Sequence, residues 1–135
     1  MSMSRRQIRE EIFKLIFRVE FHSEEEIPEQ FRLFMDTMED EREEDRIYIH
    51  DKVRDIVDHL EEIDGLIDAN VDSWKTDRMA KADLAIIRLA VYEIKYEDAI
   101  PDKVAINEAV ELAKKYCNPD ASGFINAVLA KVEEP

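Results

Sequence analysis

Three histidines, one cysteine and a group of arginines are the side chains here whose types and spacing could do chemistry. A carboxylate-bridged di-iron bundle needs paired Glu-x-x-His elements, and none of His22, His50 or His59 has Glu three residues before it. Asp55 and His59 stand one helical turn apart, but two ligands do not make a metal site, and surface pairing is the expected arrangement. Cys117 is alone, so it can form no internal disulfide, and nucleophilic catalysis would require a neighbouring base that the sequence does not indicate. A free, buried thiol is expected. There is no His-Glu-x-x-His, phosphate-binding glycine loop or dinucleotide fingerprint. The expectation is a protein that is not an enzyme and carries no metal and no cofactor. What remains is Arg5, Arg6 and Arg9, a basic cluster at the start of the chain.

That cluster stands out against the charge of the rest. The chain has a net charge of −14, but residues 1–17 hold four Lys/Arg against two Asp/Glu, residues 18–72 hold six against twenty, and residues 73–135 hold nine against eleven. The acidity is local to the middle, so opposite partners could use opposite regions. Acidic stretches such as Glu24-Glu25-Glu26 and Glu39 to Asp45 also read as solvated loops and helix faces. At 135 residues, with 45% hydrophobic content, the chain is long enough for one substantial core and too apolar for disorder. No apolar run approaches the ~20 residues of a membrane span, and Met1-Ser2-Met3-Ser4-Arg5-Arg6 leads into charged helix rather than a signal-type apolar segment. A soluble, cytoplasmic protein with no membrane association is expected.

The elements that must position these residues are all helical. Two glycines and four prolines interrupt the chain, and no valine/isoleucine run alternates with period two, so no sheet is expected. Helical periodicity marks about seven helices. The first begins at Ser4, with Gln7 placed to complete a capping box, and runs to about Phe21 with Ile8, Ile12, Leu15, Ile16 and Val19 inward. The second follows Pro28 and carries Phe31, Phe34, Met35 and Met38. The third has a seam of Ile49, Val53, Ile56, Leu60 and Ile63, spaced alternately four and three. Gly65 marks a break or bend, after which Leu66, Ile67 and Val71 continue as a short fourth helix. Trp74 and a turn near Thr76-Asp77 lead into the fifth, about Ala80 to Tyr96, with Leu84, Ile87, Val91 and Ile94 on one side. Pro101 suits the first turn of the sixth, about Asp102 to Tyr116, and the seventh covers about Ser122 to Val132. Apolar stripes there are Ile106, Ala109, Val110 and Ala113, then Ile125, Val128, Leu129 and Val132. Asn107 and Asn126 lie beside those stripes and are expected to satisfy helix ends or each other inside the bundle. The fold class is all-α: one domain over 1–135, with an N-terminal sub-bundle of about 1–72 and a C-terminal sub-bundle of about 73–135 sharing one core.

The words in these helices say more than their period. "RRQIREEIFKLIF" at the start, "WKTDRMAKADLAIIRLAVYEI" in the centre, and "IPDKVAINEAVELAKKY" followed by "FINAVL" near the end together resemble, in that order and over nearly the whole chain, the family of the transcription antitermination factor NusB. The resemblance implies an all-helical fold of two small bundles without enzymatic activity. It also implies binding of single-stranded boxA-type RNA, a complex with the ribosomal protein NusE, and membership of RNA polymerase antitermination complexes that read through terminators, notably in ribosomal RNA operons. A homodimer is left open.

Carried over residue by residue, the resemblance puts Arg5, Arg6 and Arg9 in the family's basic first helix, where flat, multiply donating guanidinium groups hold phosphates or stack on bases. Lys81 and Asp83 fall at the start of the fifth helix, and Asp120 and Phe124 at the start of the seventh, positions that in the family look toward the RNA. Phe124 could offer a stacking face, although a phenylalanine at a helix start is more often core. Phe17 stands where the family tends to have tyrosine, Lys14 where glutamine is common, and Gly123 where a basic residue is often found. Ala127 replaces the usual glycine of "FINGVL" and adds a methyl at what would be a close helix contact. Asp68, Asp72 and Asp77, near the expected junction of the halves, are candidate contacts for the protein partner.

Three phosphate contacts on a single strand give a log–log salt slope of only about −2. RNA binding by the chain alone should therefore be modest, and a basic ribosomal partner should strengthen it by covering acid and adding contacts. Two alternatives compete. One is the NusB-like domain that precedes the catalytic domain in some ribosomal RNA cytosine methyltransferases, and with no methyltransferase segment before the end at Pro135 a free-standing factor is preferred. The other is a helical scaffold that binds no RNA and docks a basic protein through the acidic middle.

Overall fold

The structure, a computed structural model, describes residues 3–133; the ends of the expected 1–135 domain, at Met1, Ser2, Glu134 and Pro135, lie outside the described residues. Those residues form seven α-helices and a single 3-10 turn, with no strand. The chain divides into two compact units, 1–58 and 59–135.

In the first unit, α1 (Arg5–Val19) begins as its local chemistry requires. The Gln7 N–H donates to Ser4 Oγ at 3.1 Å and the Ser4 N–H donates to Gln7 Oε1 at 2.8 Å, so two otherwise orphaned donors are satisfied. The Met3 N–H donates to Asp45 Oδ2 at 3.0 Å, which ties this entry to the start of the helix Glu43–Asp58. Ile12, Phe13, Leu15, Ile16 and Val19 are buried, whereas Ile8 is only half-buried. The helix stops at Val19, two residues before the expected end. Pro28 lies in the first turn of α2 (Ile27–Asp36), where its missing N–H costs nothing. Phe31 and Phe34, with Met38 just beyond, turn its apolar side into the core. Glu43, Glu44 and Asp45 occupy the first turn of α3 (Glu43–Asp58) and complement its positive end; Ile49, Val53 and Ile56 are fully buried.

The third seam ends earlier than its spacing suggests. The helix breaks at His59, with φ −106° and ψ 10°, and α4 (Leu60–Ala69) carries Ile63 and Ile67 into the second unit. Gly65 is therefore no break. It lies inside α4 without a positive φ, and a methyl added there would meet no atom within 4 Å. The junction between units lies at 58–59 rather than near 72, because α4 packs on the helices Lys81–Tyr96 and Ala121–Glu133. Replacing Gly65 with alanine should raise stability by about 0.5–1 kcal/mol, since glycine loses more backbone freedom in a helix interior. A higher urea midpoint at unchanged m-value is the expected readout.

The second unit is built around α5 (Lys81–Tyr96). Every residue from Leu84 to Glu93 is buried, the pattern of a helix surrounded by others rather than one with a solvent face. Packed on it are α4, α6 (Asp102–Tyr116) and α7 (Ala121–Glu133). Tyr96 joins α4 to α5: its hydroxyl donates to Glu62 Oε2 at 3.0 Å, and its ring lies 4.7 Å from His59 and 5.3 Å from Tyr92. His59 thus has an aromatic neighbour on α5. Arg88 is 7% exposed, and Asp64 of α4 receives its Nε and a terminal nitrogen at 2.8 and 2.7 Å. On α6, Leu112 is buried while Val110 is half-buried; Asn107 and Asn126 are both exposed, so neither amide serves inside the bundle. Ala127 is exposed too, which removes the close helix contact expected for its methyl. Among the described residues no helix is long and apolar enough to cross a membrane.

Candidate nucleic-acid interface

The expected RNA-contacting residues fall into one set in each unit. In the first, Arg5 and Arg6 are exposed in the opening turn of α1 and Arg9 is half-buried one turn on. That turn contains no acidic residue. Cations at the positive end of a helix oppose its dipole, typically by a few tenths of a kcal/mol each. The orientation costs the isolated protein some stability, and a bound anion reverses the sign: the helix dipole, the first-turn N–H groups and the guanidinium groups then all favour the same negative charge. Arg6 and Arg9 also interact with neighbours inside the protein, so an incoming phosphate would share them with existing partners.

In the second unit, tertiary contacts gather the remaining set at one end. Asp83, in the first turn of α5, accepts a hydrogen bond from the thiol of Cys117, which follows the last residue of α6. Only residues 118–120 then separate Cys117 from α7. The starts of α5 and α7 and the end of α6 therefore share that end, with Lys81 and Asp120 exposed and Asp83 and Phe124 half-buried. Two helix N-termini beside Lys81 favour an anion there, while Asp83 and Asp120 oppose it. Asp83 meets Cys117, a contact that sequence spacing could not show because 34 positions separate the two residues.

The thiol itself is half-buried rather than buried as expected. Burial, followed by the hydrogen bond to Asp83 and the carboxylate charge, pushes its pKa up from 9.0 to about 12. At pH 8 the thiolate fraction would be roughly a thousandfold below that of an unperturbed thiol. Iodoacetamide should therefore alkylate the native protein about a thousand times more slowly than the urea-unfolded chain, and Asp83→Asn should recover part of that difference. Because folding favours the protonated thiol, its contribution to stability is present below pH 9 and is lost as pH rises toward 12.

The candidate contacts for a protein partner separate into two kinds. Asp68 Oδ1 accepts the Thr76 N–H at 2.8 Å and Oδ2 accepts the Thr76 hydroxyl at 3.1 Å. Lys75 Nζ donates to the carbonyls of Asp68 and Val71. Asp68 is thus a brace for the loop before the 3-10 turn (Thr76–Arg78), while Asp72 and Asp77 are exposed. All three lie within the second unit rather than at the junction between units. The braced loop presents Trp74, 51% exposed, with the Arg78 guanidinium 5.2 Å from its ring.

Known proteins similar to this chain point to a family. The model of the NusB family matches residues 6–134. A transcription antitermination protein NusB from Agathobacter rectalis is 57% identical over 129 residues, which is 96% of this chain and 98% of the relative. The solved structure of NusB from T. maritima superposes with a TM-score of 0.89 at 31% identity, covering 98% of this chain and 92% of that one. A crystal structure of antitermination factors NusB and NusE in complex with dsRNA is similar at a TM-score of 0.83 and 25% identity, with 96% and 95% covered.

Proposed function

The chain belongs to the NusB family, and on that premise we propose that it is a transcription antitermination factor. It binds boxA-type single-stranded RNA together with the ribosomal protein NusE and helps RNA polymerase read through terminators, notably in ribosomal RNA operons. It acts as a single NusB-like domain in the cytoplasm and has no catalytic activity of its own. The observation that carries this reading is 57% identity to a transcription antitermination protein along nearly the full length of both chains. The charge distribution supports it, with an arginine-bearing helix start free of acidic residues in its first turn on an otherwise acidic chain.

The RNA contacts proposed are Arg5, Arg6, Arg9, Lys81, Asp83, Asp120 and Phe124. Asp72 and Asp77 are offered to the basic partner. The test is fluorescence anisotropy of a boxA-type single strand, a scrambled strand and a duplex, with and without NusE, at one fixed salt concentration. Preference for the boxA strand, strengthened by NusE, is the expected result. NusE binding without any RNA preference would overturn the RNA role and leave a protein-binding scaffold.

A further inference from the structure

The last two turns of α1 carry aromatic rings and cations on one patch. Lys14, Phe17, Arg18 and Phe21 are spaced three, one and three residues apart, so that on a helix each touches its neighbours at i+3 or i+4. By helical spacing Lys14, Phe17 and Arg18 lie off the stripe of Ile12, Leu15, Ile16 and Val19 that is buried. Phe21, just beyond the final turn, is 58% exposed. It is nevertheless held: its ring meets Phe17 edge to face at 5.0 Å, and Phe17 lies 6.2 Å from Phe13, which is 3% exposed and anchored in the core. Arg18 is held as well, its Nε donating to Gln30 Oε1 at 2.6 Å. That partner is a neutral amide, so the guanidinium is positioned without being neutralised. Lys14 pairs with Glu11 at 3.2 Å, half-exposed and screened by water.

We propose that Phe21, braced by Phe17 and flanked by Arg18, is a base-stacking site that extends the RNA contact along α1 beyond the arginines of its first turn. This rests on the RNA-binding reading above. A flat apolar ring ordered before binding stacks on any base with little further loss of entropy. A fixed cation beside it suits the phosphate that accompanies that base. The same cation disfavours the basic protein partner, since like charges brought together at an interface cost free energy; a polyanion with flat bases fits both features.

The test compares the full chain with Phe21→Ala, Phe21→Trp and Arg18→Gln, using a fluorescein-labelled boxA-type single strand at several salt concentrations. Phe21→Ala should weaken binding about tenfold, the lower part of the range for one stacked base, and leave the salt slope unchanged because no charge is removed. Phe21→Trp should bind at least as tightly as the parent, and Arg18→Gln should reduce the slope by about 0.7. Circular dichroism checks that folding is unchanged. Binding by Phe21→Ala within twofold of the parent would overturn the inference while the antitermination reading stands. So would loss of NusE binding with RNA affinity intact, which would reassign the patch to protein. A parent that binds no RNA would overturn both.

Discussion

Reversing Arg5, Arg6 and Arg9 to glutamate together is expected to weaken boxA-type RNA binding by about a hundredfold or more at moderate salt. Loss of three charge-assisted phosphate contacts, at about 1 kcal/mol each, accounts for about two orders of magnitude, and repulsion from three new carboxylates adds to it. The salt dependence makes the result diagnostic. These contacts should contribute about −2 to the log–log slope of the parent, a contribution that the variant loses. Acidic residues suit the first turn of a helix, which offsets the loss of the interactions that Arg6 and Arg9 make inside the protein, and thermal unfolding of the variant separates an effect on folding from one on RNA binding. A variant of unchanged or higher thermal midpoint that has lost RNA but still binds NusE would assign these residues to RNA. Retention of RNA affinity and slope would move the RNA contact elsewhere.

Asp64→Ala is expected to destabilise the second unit by about 3 kcal/mol and to cost more than Arg88→Met. The two residues form one bidentate pair, but they are buried unequally: the Arg88 side chain is 8% exposed and that of Asp64 27%. Removing the carboxylate leaves a guanidinium inside α5 deprived of its main anionic partner, the situation in which breaking a buried pair is most costly. Arg88→Met instead replaces the buried member with an apolar side chain of similar length and leaves behind a carboxylate that water can reach. A smaller loss for Arg88→Met than for Asp64→Ala in urea unfolding is the expected order. The reverse order would mean that the packing of the arginine stem, rather than its charge, holds α4 on α5.

Both predictions depend on features with different degrees of legibility. The capping box at Ser4 and Gln7, the proline in the first turn of α2 and the span of α6 were readable because each depends on atoms within about one helical turn. Periodicity was equally readable, since a helix repeats its inward face every three to four residues whatever it packs against. The family words identified a role because they extend along nearly the whole chain.

What those signals could not determine was which buried or polar group meets which. The seam from Ile49 to Ile63 reads as one helix, yet one helix ends at Asp58 and the next begins at Leu60, so the break falls at His59 rather than at the glycine six residues later. Asn107 and Asn126 sit beside apolar stripes and still face solvent, because the width of the buried stripe is decided by the neighbouring helices. Asp83 meets Cys117, Asp68 meets Thr76 and Arg88 meets Asp64. The sequence by itself determined seven helices, their faces, the basic start and the family, all through short-range chemistry or words already joined along the chain. Only the tertiary structure decided the unit boundary, the braced loop and the pairing of charges, because those depend on distances between residues that the chain separates and packing brings together.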